Sequence, residues 1–272
     1  MSTLVHRRHT RRELNELVAS APQTEVTLND DHRRSLSARF RAVAGNDHRR
    51  LDAWSVEQAG KTGHDFRWSP STARRVLGGG ALRRTRAAPT LSIGEAVSDE
   101  ITDQLLRAAS GYARHGSLGY WLASATVPEL GLITAEALNW ATQIFEIGAG
   151  LESEWQVAPS DAYYDVARAR TTLRGRRDLM IEGPEHRVII RVRAGLPGKS
   201  AGPGLRSDLT IDTLAHPSGL APSRFIGVWP EAGVILGVDA TMADLRSGAR
   251  DLVRTAVAQQ RFRAFPFGKQ IR

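Results

Sequence analysis

The sequence predicts a mixed α/β (α+β) protein, with a helical, basic N-terminal part followed by a C-terminal α/β core. Two observations carry this. Up to about residue 154 apolar residues recur at helical spacing; from about residue 155 short β-rich runs alternate with turns and helices. The 272 residues and 41% hydrophobic content suffice for one large domain or two small ones. The expected divisions are a basic polar helical arm over 1–60, a helical region over 61–154 and the α/β core over 155–272.

Composition narrows the function classes. There are no cysteines, which excludes disulfides and thiolate metal sites and suits a reducing cytoplasm. A net charge of +8 favours polyanionic partners, nucleic acid first among them. Lysine occurs only at Lys61, Lys199 and Lys269; the rest of the positive charge is arginine, which suits bidentate phosphate recognition. A GC-rich genome produces the same arginine-for-lysine skew but not the positive balance. No run approaches the ~18 apolar residues of a membrane span, and Met1 to Glu13 lack the apolar stretch of a secretory signal. A soluble cytoplasmic protein without a membrane partner is expected.

In the first segment His-Arg-Arg occurs three times, at His6, His32 and His48, with unequal separations that make no structural repeat. Leu14, Leu17 and Val18, then Leu36, Phe40 and Val43, then Leu51 and Trp54 fall at helical spacing. They predict short amphipathic helices whose basic faces either contact DNA or are simply solvated. In the second segment Trp68-Ser69-Pro70 marks a helix start. Gly78-Gly79-Gly80 reads as a flexible junction between helices, beside Arg74, Arg75, Arg83 and Arg84. No Gly-Lys-Ser/Thr follows, so it is not a P-loop. A helix over 94–115 presents Ile101, Leu105, Leu106 and Ala109. Another over 134–148 presents Ala135, Leu138, Ala141, Ile144 and Phe145, with Trp121 and Trp140 packed between helices.

In the third segment β-rich runs fall at Ala167 to Leu173, Asp178 to Ile181, Val188 to Val192, Phe225 to Trp229 and Val234 to Val238. Turns at Gly183-Pro184-Glu185 and Pro230-Glu231-Ala232-Gly233 separate some of them. Helices are expected over Arg206 to Leu214 and about Thr241 to Gln260. The tail after Arg261 interleaves cations with Phe262, Phe265 and Phe267, as single-strand binders do, or docks onto the domain. Trp155, Tyr163 and Tyr164, with Asp161 and Asp165, stack bases at a groove mouth or serve packing and turns. The histidines His6, His9, His32 and His48 form no zinc motif, and no Gly-x-Ser-x-Gly elbow supports a serine nucleophile.

Two adjacent runs carry the functional signal: Leu173-Arg174-Gly175-Arg176-Arg177-Asp178-Leu179-Met180-Ile181, read as one strand, and Arg187-Val188-Ile189-Ile190-Arg191-Val192-Arg193-Ala194-Gly195. Together they resemble the metal-binding hairpin of the PD-(D/E)XK nuclease superfamily, its RecB-like branch in particular. In that branch a Gly-Arg-x-Asp strand precedes one ending acid-x-Lys-Thr-Gly. Gly175-Arg176-Arg177-Asp178 matches the first part; Arg191-Val192-Arg193-Ala194-Gly195 takes the second place with arginines for the acid and the lysine. The resemblance spans residues 167–260. It implies a restriction-endonuclease-like core, a central mixed sheet flanked by helices, with Asp178 as metal ligand. The helix that often carries Gln and an aromatic here has Asp208 and Ile211 near those places. An extra acid from the upstream helix would be Glu146, or next Glu136. From about Trp68 onward the chain also looks similar to actinobacterial proteins of this type.

The arginines decide the chemistry expected. Metal-dependent phosphodiester hydrolysis needs a site negative enough for Mg²⁺ or Mn²⁺. Alternation places Arg191 and Arg193 on one face, expected to meet Asp178. At about 5 Å and an effective dielectric near 20, each would oppose a divalent ion by several kcal/mol. The expectation is therefore DNA binding without efficient cleavage and without a cofactor, in repair, recombination or defence, with phosphates on Arg174, Arg176, Arg177, Arg191 and Arg193. One alternative is an active Mg- or Mn-dependent DNase using Asp178 with Glu146 or Glu182; Glu185 and Lys199 are further candidates for displaced site residues. Another is an adaptor whose arginines bind an acidic protein partner.

Overall fold

The computed structural model describes residues 4–8, 11–23, 25–43, 49–52, 56, 68–111, 117–166, 169–183 and 186–264. Glu185, Trp54, Lys61, His9, His48 and the tail from Phe265 lie outside the described residues. In chain order the elements are β1 (Leu4–Arg8), α1 (Arg11–Ala19), α2 (Asp30–Ala42), β2 (Arg49–Asp52), α3 (Pro70–Ala87), α4 (Ile93–Ala109), α5 (Leu118–Ala123) and α6 (Val127–Ala149). There follow β3 (Gln156–Val157), β4 (Ala162–Val166), β5 (Thr171–Gly175), β6 (Leu179–Glu182), β7 (Arg187–Val192), α7 (Ala201–Ala215), β8 (Arg224–Trp229), β9 (Val234–Asp239) and α8 (Met242–Ala264). The class is mixed α+β, as the periodicities predict. No helix among the described residues is long and apolar enough to cross a membrane.

The chain forms two compact units, Asp65–Gly150 and the combination of Met1–His64 with Leu151–Arg272. In the first, α3 starts where the sequence indicates: Ser69 and Thr72 form a reciprocal capping box and Pro70 occupies the first turn. The glycine triplet is not a junction, because α3 runs straight through it. A Cβ on Gly78 would stand 2.7 Å from the Trp140 ring, and one on Gly80 2.6 Å from the Glu100 side chain. The glycines thus let α6 and α4 approach closely. The core is Leu77, Ala81, Val97, Leu122, Ile133 and Ala137, with Trp121 packed on it. The apolar faces differ from those expected, since Leu106, Leu138 and Phe145 are exposed. The face that α6 buries is the one carrying Ile133, Ala137, Trp140 and Ile144, where Trp140 meets the glycines of α3.

The larger unit holds two mixed sheets. One has six strands in the order β1-β9-β8-β7-β6-β3, the other three in the order β2-β5-β4. β7 and β8 are parallel, with Ile190 opposite Ile226 and Arg191 opposite Gly227. A parallel pair needs a crossover, which α7 supplies. Both strands are covered on two faces, so they read as continuous apolar runs. α7 packs on β4 and β5 of the small sheet, on β8 and β9 of the large one, and on α8. It is therefore buried almost all round. It begins at Ala201, five residues before the expected start.

Two expectations about strands change. The run 173–181 is not one strand: β5 belongs to the small sheet and β6 to the large one, with Arg176, Arg177 and Asp178 crossing between them. Residues 1–60 are not wholly helical either. β1 pairs antiparallel with β9, and β2 lies parallel to β5 with Leu51 opposite Leu173, both fully buried. Leu17, Leu36 and Phe40 are buried as their spacing predicts, and this burial draws the N-terminal helices into the same unit as the sheets.

Candidate functional site

Burying α7 between two sheets creates a problem that its own sequence poses. Ser207, Asp208, Thr210, Asp212 and Thr213 are all buried, and buried polar groups need partners. The hydroxyls solve it locally: Ser207, Thr210 and Thr213 donate to the carbonyls of Pro203, Arg206 and Leu209 at 2.8 to 2.9 Å. The two carboxylates, one helical turn apart on the same face, instead draw arginines from the sheets.

Arg191, at the end of β7, ion-pairs through Nη1 with Asp208 Oδ2. Asp208 Oδ1 accepts the backbone N–H of Arg176 at 3.0 Å. Asp212 takes Arg177 Nη1 at 3.4 Å and Arg187 Nη2 at 2.9 Å. The pattern extends outward. Arg174 meets Asp161 at 2.6 Å and Arg176 meets Asp52 at 3.5 Å. Arg224 meets Asp239 at 2.5 Å and also donates to the carbonyl of Leu17. Arg193 instead lies over the Trp229 ring, 5.1 Å from its centroid. Gly227 permits this, because a Cβ there would stand 2.7 Å from the indole. Burial pushes the Asp208 carboxyl up to about 6, against the opposing pull of Arg191, the Arg176 amide and Arg193.

Asp178 sits just before β6 and is 2% exposed. Its amide donates to the Ile190 carbonyl at 3.0 Å, and its Oδ2 accepts the Val192 N–H at 2.8 Å. The carboxylate thus extends the β6–β7 pairing by one side-chain hydrogen bond. Arg191 ion-pairs with Asp208 of α7, an acid that the sequence offers only near a motif position. Glu182 ends β6, exposed, and accepts Gln156 Nε2 at 3.2 Å. Glu146 is exposed on α6, in the other unit, and Glu136 lies 4.0 Å from Arg74 there. Lys199 is exposed in the loop before α7.

Asp178 is hydrogen-bonded to the backbone, while Asp208 and Asp212 are each neutralised by guanidinium. Among the described residues no group of three His, Asp or Glu side chains could hold an ion. In the aromatic cluster Tyr164 packs against the core and Tyr163 is exposed, while Asp161 holds Arg174 and Asp165 accepts the Thr172 hydroxyl at 2.6 Å.

Sequence reasoning missed Asp212, Arg187 and Asp52, and noted Asp208 only as a departure from a motif. A signal for two of them was present. Asp208 and Asp212 stand at i, i+4 among Leu205, Leu209, Ile211 and Leu214, which places two acids on the flank of a buried helix. No protein-family model matches the chain, and neither a curated protein nor a solved structure matches it.

Proposed function

We propose that this protein binds nucleic acid, DNA first, on a PD-(D/E)XK-like core that does not cut. The observation that supports this best is the Arg191–Asp208 pair, since a guanidinium stands where the resemblance calls for a metal ligand. The order β6, β7, α7, β8, β9, α8 follows the strand, strand, helix, strand, strand, helix series that the resemblance implies, with β5 in the separate small sheet, and the charge of +8 supports a polyanionic partner. Arg174 and Arg191 serve mainly to hold the fold, because their side chains are only 11% and 6% exposed. Arg176 and Arg177 are 21% and 16% exposed and Arg193 is half-buried; these three are the phosphate contacts of this reading.

The test is a retardation gel with labelled duplex and single-stranded DNA, in Mn²⁺ and in chelator, at two salt concentrations. Retarded, intact DNA under both metal conditions, weakening steeply with salt, is expected. Fragments that require Mn²⁺ and vanish in Asp178→Ala would instead support the DNase. Free, intact DNA throughout sinks both nucleic-acid readings and turns attention to an acidic protein partner.

A further inference from the structure

The strand arginines Arg174, Arg187, Arg191 and Arg224 each meet an aspartate, but three helix arginines converge on a cleft. α2, α7 and α8 enclose a volume of about 540 Å³ lined by Leu28, Leu36, Leu214 and Leu245 at its floor and by Arg39, Arg246 and Arg250 around it. The leucines are 1 to 6% exposed, whereas the three arginines are exposed. The spacing explains the convergence. His32, Ser35, Leu36 and Arg39 stand at i, i+3, i+4 and i+7 of α2, and Arg246 and Arg250 at i and i+4 of α8.

Arg246 and Arg250 are like charges at i, i+4, a spacing that gives them no pairing with each other. Among the described residues neither Arg39 nor Arg246 has a carboxylate within ion-pair distance. Arg250 feels Asp251, whose carboxyl is raised by burial and opposed first by Arg206, then by Arg254 and Arg250. Asp251 itself does not line the cleft. The cleft therefore pairs a cationic rim with an aliphatic floor. Among its described lining residues the one aromatic ring is that of His32, whose Nδ1 lies 2.7 Å from Asn29 Oδ1, and no Phe, Tyr or Trp is there to stack on a nucleobase. Its volume lies within the range of small-molecule sites.

We infer that the α2–α7–α8 cleft binds an aliphatic oxyanion, a carboxylate or phosphate head on an alkyl or acyl chain. The head is held by Arg39, Arg246 and Arg250, whose forks suit either oxyanion. The chain lies on Leu28, Leu36, Leu214 and Leu245. This site is separate from the arginine–aspartate lattice and does not rest on nucleic-acid binding.

Calorimetric titration of the full chain with octanoate and with octyl phosphate, both below micelle formation, tests it. One saturable site is expected for at least one of them, and the stronger of the two identifies the head. Inorganic phosphate and 1-octanol bind at least about tenfold more weakly, because each lacks one half of the recognition. Arg246→Gln and Arg250→Gln, both on the surface, each weaken binding about tenfold, while Arg107→Gln on α4 leaves it unchanged. Uptake that does not saturate, equal binding by the two arginine variants and the parent, or adenosine monophosphate binding more tightly than octyl phosphate would each overturn the assignment.

Discussion

Arg191 on the central strand β7 and Asp208 on the crossover helix α7 form an ion pair in which both side chains are almost wholly excluded from solvent. The pair joins the strand to the helix that connects it to β8, and so fixes the rotation of α7 between the two sheets. Its net stabilisation is small relative to an apolar pair, because desolvation offsets attraction; breaking one side leaves a buried charge uncompensated. At pH 7.5, Arg191→Met and Asp208→Asn are each expected to cost about 3–5 kcal/mol. The double variant should cost clearly less than the sum, since it leaves no lone charge. Urea unfolding of the four proteins measures this; additive losses would show that the two side chains are not coupled.

The same carboxyl gives a pH dependence with a definite sign. Folding raises Asp208 from 3.8 to about 6, so the folded state holds its proton more tightly than the unfolded state does. The associated stability is fully present below about pH 4 and is lost as pH rises through about 6. The difference between those values corresponds to at most about 3 kcal/mol. Unfolding free energies of the parent and of Asp208→Asn, compared from pH 4 to pH 7, should diverge by up to that amount. A constant difference across the range would rule out the raised carboxyl. Arg191→Met should move it higher still, because the guanidinium opposes burial.

Asp178 is expected to behave as a backbone clasp. Asp178→Ala orphans the buried Val192 N–H and should cost about 1–3 kcal/mol. Asp178→Asn keeps an acceptor and should cost less. Mn²⁺ should leave the melting temperature of the parent unchanged; a rise that disappears in Asp178→Ala would restore Asp178 as a metal ligand.

The approach of α8 to α7 depends on Gly248. A Cβ there would stand 2.3 Å from Thr210 Oγ1 and 2.4 Å from the Arg206 carbonyl. Gly248→Ala should destabilise by about 1–3 kcal/mol. Gly131 in α6 has nothing within 4 Å of such a Cβ, so Gly131→Ala should stabilise by roughly 0.4–1 kcal/mol. Thermal unfolding of both variants separates contact from helix propensity; equal shifts would mean that the α7–α8 approach is not tight.

By itself the sequence determined the elements whose signals are local. The apolar runs 188–192, 225–229 and 234–238 are β7, β8 and β9, and the Met242, Leu245, Ala249 and Leu252 spacing gives α8. Ser69-Pro70 sets the start of α3 through a capping box that needs only three further residues. The cysteine-free composition and the placement of arginines beside Asp178 were equally legible. Tertiary structure alone decided the rest. Leu51 reads at helical spacing with Trp54, yet its segment is a strand because β5, some 120 residues later, supplies its hydrogen bonds. The glycine triplet reads as a break, yet it is helix because Trp140 and Glu100 fill the space that side chains would occupy. The arginine motif was visible, but its acids were not: Asp52 is 124 residues from Arg176, and Asp208 is 17 from Arg191. Charge pairing in a buried site is set by which surfaces the apolar core brings together, and that depends on contacts distant in the chain.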